Sequence, residues 1–313
     1  MRKSEKGTGV RGQGQGIFME YGLRPLGRER FWLWALLTPT LIGLIFGALG
    51  SVVATILLSF TKWDLLTPPT WAGLVNYVDL FKDQKMLLSL TNTIKFTAMY
   101  VPGVVIVSLL IAVVMNRKMR GVGLFRTAYF LPAVTSAVAT ALVWNMIYGK
   151  DTGILNFLLE RLGMQPVCWL CTENALYAVV LVNIWGAIGE GMIIFLAGLT
   201  AIPREYYEAS EIDGANGFHQ FFRITLPLVT PSIFFQTLIA TINAFQAYDY
   251  IYMLTRRGQG DSSVPVVVFS IYRNAWNFFN YGGASAQAIE LTVIVAALMA
   301  FYFWLERRFV VYE

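Results

Sequence analysis

The chain alternates long apolar runs with short polar breaks. Six runs stand out, at about 31–60, 93–115, 125–148, 175–199, 228–254 and 286–305. Each reaches the roughly 20 residues that a helix needs to cross about 30 Å of hydrocarbon. The expected fold is therefore an all-α membrane protein with six spanning helices. Pro39, Pro102, Pro132 and Pro231 lie inside or near the ends of these runs. Neighbouring helices and water satisfy freed carbonyls in a bundle, so these prolines read as kinks.

Composition agrees with the pattern. Apolar residues make up 56% of the chain and charged residues 14%. Soluble domains carry about a quarter charged residues and under half apolar ones. Residues 1–30 are rich in Gly and Arg and lack the short apolar core of a signal peptide. They read as a tail, and 31–313 as the membrane domain, whose first run is expected to remain as an anchor.

Lys and Arg then orient the bundle. The tail carries Arg2, Lys3, Lys6, Arg11, Arg24, Arg28 and Arg30. The break between the second and third runs carries Arg117, Lys118 and Arg120, with Arg126 at its edge. Arg307 and Arg308 follow the last run. The opposite breaks hold Lys62, Lys82, Lys85, Lys150, Arg161, Arg256, Arg257 and Arg273, several of them beside acids. This asymmetry places both termini in the cytoplasm. The formal net charge of +5 reads as a topology signal. No basic stripe is interleaved with stacking aromatics, so no nucleic-acid partner is expected.

The same orientation puts residues 200–227 on the cytoplasmic side. This break is too polar to span and too regular for a linker. Pro203 starts a helical stretch, 204–212, with Glu205, Glu208 and Glu211 at helix spacing. Asp213-Gly214 makes a sharp turn, and Asn216 caps a second short helix through Phe222. The segment reads as helix, turn, helix.

Its residues carry a resemblance. Glu208-Ala209-Ser210, three residues, Gly214, nine residues, then Ile224-Thr225-Leu226-Pro227 is similar to the E-A-A motif of type I importer permeases. These are the membrane subunits of ATP-binding-cassette uptake systems. The spacing agrees throughout, and Ser210 stands where the pattern has a second Ala. Glu211-Ile212-Asp213-Gly214-Ala215 resembles the carbohydrate-uptake branch. So do Leu196-Ala197-Gly198-Leu199 before Ile202-Pro203, Tyr248-Asp249-Tyr250-Ile251-Tyr252 with Leu254-Thr255, and Ser59-Phe60-Thr61-Lys62-Trp63. The likeness covers about 31–305.

The resemblance implies a six-helix type I permease fold and a coupling helix that docks in a cleft of a cytoplasmic ATPase. It implies that Glu208 makes the polar contact, that Ala209 and Ser210 pack closely, and that Gly214 supplies the turn. Asp213, Ile224, Leu226 and Pro227 complete the ATPase-coupling set. It also implies the partners: a second permease, two ATPase subunits and an extracytoplasmic solute-binding protein. An amphipathic helix lying on lipid is disfavoured, because such helices present Lys and Arg whereas this one is acidic.

No Gly-x4-Gly-Lys-Ser/Thr loop occurs in the sequence, so ATP and Mg are expected on the partner ATPases, with no cofactor here. With one histidine and no His-Glu-x-x-His run, neither a metal site nor an enzyme is expected. The alternative is an ion-coupled secondary transporter using Lys95, Glu190, Asp249 or Glu290. It gives the 200–227 loop no role. For a sugar pathway, Asn243 and Gln246 are three apart on one helix face, near Tyr248 and Asp249. Glu190 joins Asn243 and Gln246 as a pathway candidate, with Trp144, Asn145, Asn183 and Trp185 nearby in the pattern. Aromatic belts and interhelical bonds explain many such residues as well. Cys168 and Cys171 read as ordinary thiols, or as a disulfide if their loop faces an oxidising compartment.

Overall fold

A computed structural model describes residues 27–117, 120–171, 174–256 and 264–309. The tail through residue 26, Lys118 and Arg257 lie outside the described residues. The chain divides into two compact units, Met1–Ala54 and Thr55–Glu313. The first holds α1 (Gly27–Ile42), a π-helical turn (Gly43–Leu49) and the start of α2 (Gly50–Ser59). Pro39 does not end α1. The irregularity comes one turn later, in the glycine-containing π-turn.

The second unit opens with a small antiparallel ribbon, β1 (Thr61–Lys62) and β2 (Thr70–Trp71), then α3 (Val75–Lys82). The long α4 follows (Gln84–Met115), then α5 (Val122–Val134), α6 (Ala137–Ile147), α7 (Ile154–Arg161) and α8 (Ala175–Ala201). The polar loop folds as α9 (Arg204–Ile212), α10 (Gly217–Gln220), a π-turn (Phe221–Thr225) and α11 (Leu226–Leu228). The last elements are α12 (Thr230–Phe245), α13 (Asp249–Arg256), α14 (Val267–Trp276) and α15 (Tyr281–Phe309).

Among the described residues, four stretches are long and apolar enough to cross a bilayer: Phe31–Ser59, Gln84–Met115, Ala175–Ala201 and Tyr281–Arg308. Two bent pairs bring the number to as many as six. The run expected as one helix at 125–148 is broken. Its halves, α5 and α6, meet at 100° across Thr135-Ser136. Pro132 lies in the last turn of α5, where the missing N–H and the ring weaken the helix. Pro102, by contrast, sits inside α4 without breaking it.

The run expected at 228–254 is also shorter. α12 ends at Phe245, and Asp249 starts a separate helix. The break follows from sequence: Gln246 stands at the helix end and Asp249 enters the next first turn, where the helix dipole favours an acid. The β ribbon, by contrast, falls in a stretch with no apolar run to announce it, and α14 grows from the short apolar run 264–272, too short to span.

α8 is the centre of the second unit and packs against α4, α5, α12 and α13. Its approach to α5 is close: a Cβ at Gly189 would strike the Tyr129 carbonyl oxygen and stand 2.7 Å from the Phe130 Cα. Only glycine permits that backbone contact. Several helix hydroxyls are spent locally. Thr93, Thr97, Thr237 and Thr241 each donate to the carbonyl four residues back, so none is orphaned in lipid.

Two buried clusters mark the two ends. Phe96, Val104, Val179, Val182, Ala240, Ile251 and Leu254 belong to one, which Trp144, Trp169, Tyr248 and Tyr252 flank. Leu109, Met115, Met192, Phe195, Leu199 and Val229 form the other. At this second, basic end Arg126 donates from Nη2 to the Met115 carbonyl at 2.9 Å. The polar loop 200–227 lies at the same end, joined to it through Ile202, Phe221 and Leu226.

Candidate functional site

The polar loop assembles from local signals. Pro203 is extended, at φ −60° and ψ 138°, and stands just before α9. Glu205 lies in the first turn, favourable to the helix dipole. The helix stops at Asp213, because Gly214 adopts φ +78°. Gly214 N–H donates to the Glu211 carbonyl at 3.0 Å and Ala215 N–H to the Ser210 carbonyl at 2.9 Å. This paired closure satisfies the last carbonyls and requires a left-handed residue at 214. Asn216 Oδ1 then accepts from His219 N–H at 2.9 Å and caps α10.

Side chains lock the two helices together. Tyr207 Oη and Thr225 Oγ1 lie 3.0 Å apart. Gln220 Nε2 donates to Ser210 Oγ at 3.0 Å and reaches the Tyr207 carbonyl at 3.5 Å. Ser210 Oγ donates back to the Tyr207 carbonyl at 2.8 Å. Ser210 is thus more than a small residue tolerated in an Ala position, because its oxygen receives the Gln220 amide. Thr225 is the buried member of the set and stands at the foot of the α11–α12 segment.

A groove of about 410 Å³ opens between the helices. Ser210, Asp213, Gly214, Asn216, His219 and Ile224 are among the residues that line it. Four residues of the coupling set therefore share one groove. Glu208 and Ala209 are exposed on α9, outside its lining. Leu226 packs against the basic-end cluster, and Pro227 is half-buried at the start of α11. α9 has no buried residue at all. Ile212 is 87% exposed and Phe218 75%, so apolar side chains as well as carboxylates face outward here. An acid-rich helix with small and apolar neighbours, held rigid from behind, is suited to a partner cleft that offers a cation and apolar walls.

The pathway candidates are dispersed. Asn243 and Gln246 are exposed at the last turn of α12, whereas Glu190 is exposed midway along α8. Asn145 is taken up by the Ala141 and Met253 carbonyls, and Asn183 by the Val179 carbonyl. Trp144 forms an aromatic cluster with Tyr148 and Trp185, at centroid distances of 5.2 and 5.7 Å. Cys168 and Cys171 are joined as a disulfide. Beside them Trp169 Nε1 donates to Asn156 Oδ1 at 3.0 Å.

Sequence reasoning passed over Tyr207, Gln220 and Thr225. Tyr207 had one available signal, its place three residues before Ser210 on the same helix face. Gln220 and Thr225 had none.

Comparison with known proteins places the whole arrangement. Residues 84–311 match the family described as binding-protein-dependent transport system inner membrane component. A probable ABC transporter permease protein, YesP of Bacillus subtilis, is 37% identical over 286 residues, covering 90% of this chain and 92% of that protein. The trehalose/maltose transport system permease protein MalF of Thermococcus litoralis is 31% identical over 268 residues, covering 85% of this chain and 89% of that protein. Among solved structures, a bacterial alginate ABC transporter, in complex with an alginate pentasaccharide-bound periplasmic protein, contains a chain of similar fold. It aligns with a TM-score of 0.79 at 24% identity, over 90% of this chain and 96% of that one. The chain is a multi-pass membrane protein, a transport component, and it belongs to the family of binding-protein-dependent transport system inner membrane components.

Proposed function

We propose that this chain is one permease subunit of an ATP-driven importer for a carbohydrate, and that residues 200–227 couple it to a cytoplasmic ATPase. In this reading six spans form half of the translocation pathway: the four long stretches, the bent pair α5–α6, and α12, with residues 200–227 outside the membrane. Both termini and the basic end face the cytoplasm, because Arg117, Arg120 and Arg126 gather there with the polar loop. Residues 1–30 are a cytoplasmic tail and 31–313 the membrane domain.

The observation that carries the proposal is the self-locked loop itself. Glu208, Ala209, Ser210, Asp213, Gly214, Ile224, Leu226 and Pro227 occupy motif positions on a helix-turn-helix that hangs from α12 with its acidic face bare. Glu208 offers a charge-assisted bond to a basic partner, and Gly214 holds the corner. Closure of an ATPase dimer on α9 reaches the bundle through Tyr207, Thr225 and α12. ATP and Mg belong to the two partner ATPases, and a solute-binding protein delivers the solute at the aromatic end. A second permease supplies the other half of the pathway. The carbohydrate class is favoured by relatives named for trehalose/maltose, starch degradation products and sulfoquinovosyl glycerol. Asn243, Gln246 and Glu190 are exposed polar groups on spans and line the pathway in this scheme.

An ion-coupled secondary transporter is the second reading. It would use Glu190 and Glu290, and it leaves the exposed acidic loop without a task. Purification of the chain in mild detergent from its native membrane, with an ATPase assay on what accompanies it, separates the two. Co-purified ATPase activity that rises with a solute-binding protein and one sugar is the expected result. A chain that purifies without any ATPase would overturn the proposal.

A further inference from the structure

The connector 60–83, at the aromatic end of the second unit, carries an apolar surface that the pathway and the coupling loop do not use. Leu74, at the N-cap of α3, and Val78 and Phe81 within it are exposed and recur at i, i+4 and i+7, so they form one stripe. The other side of α3 faces inward. There Asn76 and Leu80 are buried, and Asn76 Nδ2 donates to the Ser59 and Thr61 carbonyls, each at 2.8 Å. Tyr77 Oη donates to Ser59 Oγ at 2.7 Å. The helix is therefore pinned on one side and bare on the other.

Two further features of the connector point the same way. Trp71 is 74% exposed, with its ring stacked on Phe60 at 5.8 Å. Between the ribbon strands, Leu65 is held at φ +68°, in the left-handed region that branched side chains rarely adopt. Asp64 Oδ1 fixes this turn by accepting from Leu66 N–H, Thr67 N–H and Thr67 Oγ1 at 3.1, 2.8 and 2.7 Å. The Thr67 backbone and hydroxyl bonds hold the Asp64 carboxyl below the usual carboxylate range, so the turn is set at neutral pH. Leu66 ends up 86% exposed at the tip.

The depth of this surface follows from α15. Tyr281 begins a span of 28 residues. At 1.5 Å per residue such a helix covers about 42 Å, close to the roughly 40–45 Å of a bilayer with its headgroup layers. With Arg307 and Arg308 in one headgroup layer, Tyr281 stands in the other. Tyr281 N–H donates to the Trp63 carbonyl at 3.0 Å, which ties the ribbon to that level. A lone soluble partner is not needed to explain the apolar stripe, because the headgroup–acyl boundary is already there. Exposed Lys82 and Lys85 flank Phe81 and suit the phosphates above it.

We propose that the α3 stripe, Leu74, Val78 and Phe81, is a lipid-interface anchor that lies in the headgroup–acyl boundary of the leaflet at the aromatic end. The proposal rests on the chain crossing a membrane and is independent of the ATPase-coupling reading. Trp71 and the Leu65–Leu66 tip belong to the same connector and share that level.

The test is site-directed spin labelling of the intact transporter in vesicles of phosphatidylethanolamine and phosphatidylglycerol. Cys168 and Cys171 are disulfide-bonded, so introduced thiols are labelled selectively without reductant. Nitroxides at Phe81→Cys and Leu74→Cys are compared with Leu110→Cys, on an exposed face of α4, and with Asp151→Cys, in an exposed loop. Accessibility to oxygen and to a water-soluble nickel chelate is then measured. The expected result is several-fold higher oxygen-to-nickel accessibility at 81 and 74 than at 151, approaching the value at 110. Accessibility to nickel equal to that at 151 would overturn the proposal by placing the stripe in water. Low accessibility to both reagents would overturn it too, by showing a protein partner on the surface.

Discussion

The two ends of the helix bundle are held together by different means. At the basic end, the loop of α9 to α11 is braced by bonds within itself and seated on the bundle through Phe221 and Leu226. Its bonds run from Tyr207 to Thr225 and from Gln220 to Ser210, and α9 buries no residue. At the aromatic end, the loops are knitted into the bundle. Asn156, 2% exposed, holds the Gly149, Lys150 and Val167 carbonyls, the Val167 N–H and the Trp169 indole. Trp169 in turn lies 6.0 Å from Tyr148, whose hydroxyl donates to the Ala178 carbonyl at 3.1 Å. The first arrangement keeps its shape through its own bonds. The second resists deformation, because each change would uncover buried polar groups. One end thus carries a self-braced body on an apolar seat, and the other is built as a web.

The largest expected effect is at the self-braced loop. Glu208→Lys reverses the charge offered to the partner, and Gly214→Pro imposes φ near −65° where +78° is required. Both variants are expected to insert normally and to abolish uptake. Normal transport in the pair would remove the functional side of the comparison. Next comes the web. Asn156→Ala leaves several buried groups unpaired at about 1–3 kcal/mol for such a loss, and it is expected to lower the thermal midpoint of the purified complex. An unchanged midpoint would show that the disulfide and the aromatic packing hold the loop without the Asn156 amide. The smallest effect is Tyr207→Phe, which removes one hydroxyl bond worth about 0.5–1.5 kcal/mol. Stability should hardly change while solute moved per ATP hydrolysed falls. An unchanged ratio would mean that the displacement travels through the backbone alone.

Much of the fold is written in local pattern. The apolar runs, the α9 boundaries at Arg204 and Ile212, the turn at Gly214 and the cap at Asn216 all follow from neighbours within a few residues. The break at Thr135-Ser136 does not, since Pro132 and Pro102 look alike in sequence and only one lies at a bend. The outcome depends on what packs beside each, α8 approaching α5 at Gly189 being one such neighbour. The lock of the loop was equally hidden. Tyr207 and Thr225 are separated by 18 residues, and nothing in either residue type names the other. The substitution at Ser210 was legible as a departure from the motif, but its bond to Gln220 needed the folded chain.

The closed set of bonds from Tyr207 to Thr225 has a meaning for exchange between proteins. A segment whose shape is specified by its own residues brings that shape with it when it is moved. Transfer of residues 203–229 as a block should therefore be tolerated by a related subunit that offers a like apolar seat for Phe221, Leu226 and Val229. Transfer of Ser210 or Gln220 alone would strand a donor or an acceptor. The loop is thus a unit of exchange as well as a unit of structure.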